Sequence, residues 1–145
     1  MSAPDLVKQV RSKLLAVSAI TDGLSTYDFG EDEGVLPAIF GQQPAPEDAE
    51  LPHMVVELAS GVLFETRGHS GADMIVDVQV WGEKNHSRAA LRDIVWEVFE
   101  ALHHAELSLT GWDNAGVRAR PPRTSPDPQG FPGYICEVYV RLLKQ

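Results

Sequence analysis

The run from Asp73 through Met74-Ile75-Val76-Asp77-Val78-Gln79-Val80 to Trp81 constrains this chain more than any other stretch. Met74, Val76, Val78 and Val80 fall on one parity, and Ile75, Asp77, Gln79 and Trp81 on the other. Successive side chains of a strand point to opposite faces, so this period of two predicts a strand with one face buried. Just before it stands Gly68-His69-Ser70-Gly71-Ala72, one residue away from the G-x-S-x-G turn that presents a nucleophilic serine. That turn needs a helix after it, because the helix N-terminus points at the developing oxyanion. Residues 73–81 have strand period instead, and the fifth position is Ala72 where the motif has glycine for close packing. Residues 67–73 therefore predict a hairpin between antiparallel strands, with glycines supplying positive φ. Ser70 is a hairpin residue and no catalytic residue is assigned.

Other segments obey the same rules. Ser2-Ala3-Pro4-Asp5 has capping-box spacing with proline at the first helical turn, and Leu6, Val10, Leu14 and Val17 form a helical stripe behind it. Residues 35–41, 51–60 and 61–67 read as strands, and 42–50 as a proline-rich acidic loop. Asn85 or Ser87 caps a second helix, on which Leu91, Ile94, Val95, Val98, Phe99 and Leu102 recur at helical spacing to about His104. A short run at 117–120 and an alternating strand at 134–143 close the chain. The fold expected is α+β: a small, mostly antiparallel β-sheet with two amphipathic helices packed on one face, as one domain over residues 1–145.

Composition excludes several function classes. A chain of 145 residues buries roughly 70% of its unfolded surface without staples. The lone cysteine, Cys136, sits in an apolar alternating run and reads as a small buried hydrophobe, which fits a reducing compartment. No apolar run approaches the ~20 residues that span a bilayer, so no membrane association is expected. The N-terminus carries charges throughout and no cleavage-site pattern, so the chain reads as cytosolic at synthesis. Net charge is −9, and the 12 Lys and Arg residues are scattered, whereas binding a phosphate backbone needs several of them clustered. The five histidines show no metal-ligand spacing; His103 and His104, adjacent at a helix end, would point about 100° apart and favour the helix dipole. Asp73 and Asp77 share a strand face without a third acid nearby in sequence. No metal and no cofactor are assigned.

Three features point to contacts with other chains. The second face of the sheet is mixed, with Ile75, Trp81, Ile135 and Tyr139 among Asp77, Gln79, Glu137 and Arg141, which either loops or a neighbouring subunit would cover. Trp96 falls about 140° from Leu91 around the second helix, beside Arg92, and is either an interface anchor or packed under a loop. The segment 121–133 holds five prolines and two glycines with Arg118, Arg120 and Arg123 at its root, and is either a docking element or a surface excursion.

The sequences LVKQVRSKLLAVSAIT, LPHMVVELASG and ADMIVDVQVWGEKNHSRAALRDIVWEVFEAL, with a final strand after them, together resemble the tail-completion (tail terminator) family of long-tailed phages and gene transfer agents. The most telling pieces are LPHMVVEL opening a central strand and VDVQVWG leading at once into a capped helix ending in EAL. The resemblance implies a non-enzymatic virion protein that forms a homohexameric ring on the finished tail tube. Such a ring stops tube polymerisation and joins the tube to the head-side connector or stopper. Its partners are then itself and the major tail tube protein, with DNA passing through the lumen without specific binding. Its location would be the head-proximal end of the tail, with the host cytoplasm before assembly. The expected interface residues are Arg67, His69, Ser70 and Asp73 at the hairpin, Arg92 and Trp96 on the helix, Trp81 and Tyr139 on the mixed face, and Arg118, Arg120 and Arg123 before the proline-rich loop. The alternatives are another head–tail adaptor, such as a stopper or tube-like subunit, a small hydrolase using Ser70, and a ligand-binding α+β dimer.

Overall fold

The computed structural model describes residues 5–41, 45–125, 127 and 129–145. Helix α1 spans Leu6–Leu15 and a single turn, α2, spans Ser18–Thr21. Asp5 caps α1, its carboxylate accepting from the Lys8 backbone N–H at 3.4 Å; Ser2, Ala3 and Pro4 of the expected capping box lie outside the described residues. Strands β1 (Thr26–Asp28) and β2 (Val35–Pro37) form a two-stranded ribbon. Strands β3 (Ile39–Phe40), β4 (His53–Thr66) and β5 (His69–Trp81) come next, then α3 (Arg88–Leu102), β6 (Trp112–Ala119), β7 (Arg123–Thr124) and β8 (Gly133–Lys144).

The main sheet runs β3-β4-β5-β8-β6, with β7 paired to the first part of β8. It is mixed, because β3 lies parallel to β4 while the other ladders are antiparallel. Residues of one parity on β5 and β8, with the start of β4, build the core: Met54, Val56, Val76, Val78, Val80, Cys136, Val138, Val140 and Leu142. Leu6, Val10 and Leu14 from α1 and Leu91, Ile94, Val95, Val98 and Leu102 from α3 close over them. Ser87 caps α3 by accepting from the Ala90 N–H at 3.3 Å.

The expected fold class is corrected. Strand accounts for 43% of the chain and helix for 21%, so the architecture is mostly β, with a six-stranded mixed sheet and a second two-stranded one. The reason is length: β4, β5 and β8 have 14, 13 and 12 residues, whereas the helices have 10, 4 and 15. Local expectations shift too. Residues 51–60 and 61–67, read as two strands, are one strand with a bulge between Leu58 and Ser60. The segment 35–41 splits into β2 and β3, which belong to different sheets. The second helix ends at Leu102 and not at His104, whose φ is 63°. The two histidine rings consequently face each other, with centroids 3.9 Å apart, instead of diverging.

Candidate interaction surface

Residues directly opposite in the ladders share a face, and the register assembles an outer sheet face that the helices do not cover. Across its middle, Glu57, Asp77 and Glu137 stand side by side on β4, β5 and β8. Like charges directly opposite are unfavourable. Burial raises the Asp77 pKa above the usual carboxylate range, and the charges of Glu137 and Glu57 push it the same way. Glu137 moves down because Arg123 donates to it at 2.8 Å, with Tyr139 O–H adding a second donor at 3.2 Å. The third acid that the sequence did not show beside Asp77 is thus supplied by neighbouring strands. Among the described residues, no group of three or more His, Cys, Asp or Glu is arranged to hold a metal ion.

Above that row lie Ser60, Ile75 and Tyr139, then Val62, Asp73 and Arg141. Arg141 donates to Asp73 through Nε at 2.7 Å and Nη2 at 2.9 Å, a bidentate pair that holds the Asp73 pKa below its ordinary value. Arg118 is opposite Tyr139 on β6, and the Arg120 guanidinium lies over the Tyr139 ring at 5.2 Å. These residues line an open trough of about 740 Å³ that runs from β4 to β6. Below the acidic row, Trp81 lies on Gly133, where an added Cβ would strike the indole, and its Nε1 donates to Gln79 at 3.2 Å. The β1–β2 ribbon covers the remaining corner, where Tyr27 packs edge-on against Phe29 and Phe40, themselves tilted to each other, over Val55.

The structure therefore brings Asp73, Trp81, Arg118, Arg120, Arg123 and Tyr139 onto one face. Arg67 sits apart, in the two-residue turn between Thr66 and His69, with Gly68 at φ 86°. His69 and Ser70 are already paired in β5, so Ser70 stands on a strand with no helix directly after it. Arg92 and Trp96 are on α3, in the opposite layer. Trp96 is 42% exposed and rests edge-on against Phe99, which stacks on His103. Cys136 is buried, and burial pushes its thiol up to about 12, so it is chemically quiet. Pro126 and Pro128 of the proline-rich segment lie outside the described residues, and Arg123 at its root is exposed.

Sequence reasoning read residues 61–67 as a strand but missed that its apolar side chains are exposed. Leu58, Val62 and Leu63 are 43%, 61% and 71% exposed, three of the five large apolar side chains so placed among the described residues. Among the described residues, β4 has no neighbour on its outer edge beyond Val55, since β3 pairs only with Met54 and Val55. The signal was present in Gly-Val-Leu-Phe-Glu, where apolar residues occupy both parities beside a two-residue turn. The other sheet edge is closed: His104 N–H donates to the Val117 carbonyl at 2.9 Å and Ala119 N–H to His103 Nδ1 at 3.1 Å.

No family model and no curated protein matches the chain. Among solved structures, a chain from the virion of a native gene transfer agent particle has a similar fold. The TM-score is 0.69 and the identity 15%, over 95% of this chain and 94% of that one.

Proposed function

We propose that this chain is a structural virion protein whose copies close into a homohexameric ring on the tail tube, end tube polymerisation and form the joint to the head-side connector. The observation that carries this reading is the fold shared, nearly end to end, with a gene transfer agent virion chain. The whole of residues 1–145 acts as one domain of that kind, at the head-proximal end of the tail. An apolar strand edge left open on one side supports self-assembly. A net charge of −9 supports a lumen that lets DNA pass without holding it. The reading assigns no catalytic residue and no cofactor.

Light scattering on a size column, with negative-stain images, tests it. Six chains of 15.9 kDa give a closed ring of about 95 kDa. Mixed with tail-tube subunits, the ring produces capped tubes of limited length. Tubes that this chain builds alone and without limit would instead mark a tube-like subunit. A chain that neither closes a ring nor limits tube growth overturns the proposal.

A further inference from the structure

The exposed arm and a groove at the other end of the molecule are complementary. The arm is the distal half of the β4–β5 hairpin, with Val62 and Leu63 exposed and Arg67 at its tip. Among the described residues Arg67 makes no ion pair. The groove, about 450 Å³, lies between α2 and α3. Ala19, Gly23, Ala90 and Ile94 make an apolar floor, His86 also lines the groove, and Asp93 and Glu97 supply an acidic rim. Strand β5 runs from the arm to Trp81, and the chain then turns through Gly82, packed against Leu91, into α3. Its 13 residues at ~3.3 Å each put the tip about 40 Å from Trp81, where the chain leaves the sheet for α3, so the arm points away from its own groove.

We propose that the arm of one copy docks in the α2–α3 groove of a second copy, with Leu63 on the floor and Arg67 against Asp93 and Glu97. The inference rests on the ring reading and names its contact. Apolar side chains meet an apolar floor, and a basic tip meets an acidic rim. Arm and groove are different patches of the same chain, so the contact is heterologous and repeats head to tail, as a closed ring requires.

Two single variants, Leu63→Cys and Ala90→Cys, test the contact, because both positions are exposed and the buried Cys136 stays silent towards maleimides. The variants are mixed and treated with a short bismaleimide. Cross-linked dimer is expected about tenfold above the level in either variant alone, because only the mixture places unlike sites together. In parallel, Arg67→Glu weakens association about tenfold, and adding Glu97→Arg restores most of it. Equal cross-linking in mixture and singles, or a charge swap that does not restore association, overturns the docking. A ring seen in stain without the 63–90 link sinks the docking and leaves the ring. Open chains that carry the link sink the ring and leave the docking. A chain that is monomeric at every concentration and forms no link sinks the docking.

Discussion

At the scale of single residues, Asp77 is the place where the chain accepts an unfavourable arrangement. It stands between Glu57 and Glu137 on a partly covered sheet face, and only Arg123 pulls its pKa back towards the ordinary value. A carboxyl whose folded pKa is raised above its unfolded value binds protons more readily when folded. Its ionised form therefore destabilises the fold at neutral pH, and that cost disappears as pH falls through the folded pKa. Asp77→Asn keeps the shape and removes the charge. It is expected to raise stability at pH 7 by about 0.5–1 kcal/mol, the scale of one like-charge cross-strand pair. At acid pH, below the raised folded pKa, the gain shrinks, because the native carboxyl takes up its proton there. Urea midpoints of the two chains at both pH values check this, and an equal gain at both would show that charge is not the cause. Asp73, two positions along the same face, has a bidentate arginine and the opposite pKa direction. The sequence placed both aspartates on one face. The neighbours that set them apart, Glu137 and Arg141, come from β8, far along the chain, and carry no local signal.

At the scale of elements, β5 was legible as one strand and β4 only as two pieces, for one physical reason. Strand β5 is paired on both sides and buried on one face, so its alternation of Met74, Val76, Val78 and Val80 is clean. Past its bulge, β4 has a neighbour on one side only and no fixed inner face, so its residues follow no period and Ser60-Gly61 looked like a break. Strand β6 was reduced to its last residues for a similar reason, since a bulge between Asn114 and Gly116 interrupts its pattern. The hairpin joining β4 and β5 was read correctly as a hairpin, yet its turn is only Arg67-Gly68, and Gly71 has a different duty. A Cβ at Gly71 would meet the Leu142 carbonyl and the Phe64 ring, so glycine there lets β8 and the arm close onto β5. Gly71→Ala is expected to lower stability by about 1–3 kcal/mol through overpacking. Ser70→Ala, one residue away with no such contact, stays within about 0.5 kcal/mol. Denaturant midpoints of the two variants separate a packing role for the glycine from a generic intolerance of the hairpin.

At the scale of the whole molecule, Trp81 and Tyr139 were expected at an interface from apolar groups at polar parity and the hairpin tip from its turn, while the exposure of Val62 and Leu63 was missed because exposure depends on which strands lack neighbours. That same scale sets the balance of forces in assembly. Each chain carries −9, and a 145-residue body has a radius of gyration of roughly 15 Å, a sphere of roughly 19 Å radius, so touching ring neighbours have centres roughly 38 Å apart. Two such charges repel by roughly 9 kcal/mol in unscreened water, roughly 2.5 kcal/mol at 0.01 M salt and roughly 0.2 kcal/mol at 0.1 M. A pair such as Arg67 with Glu97 at ~4 Å supplies only about 1 kcal/mol in water, and at that range salt changes it little. Long-range repulsion therefore governs the salt response even where the local contact is attractive. Association should strengthen steeply between 0.01 and 0.1 M sodium chloride and then level off. Sedimentation across that range reads the outcome directly. Association that weakens steadily with salt would mean that opposite-charge pairs outnumber those at the arm, and would place the dominant contact on the arginine-rich side of the outer face around Arg118 and Arg120.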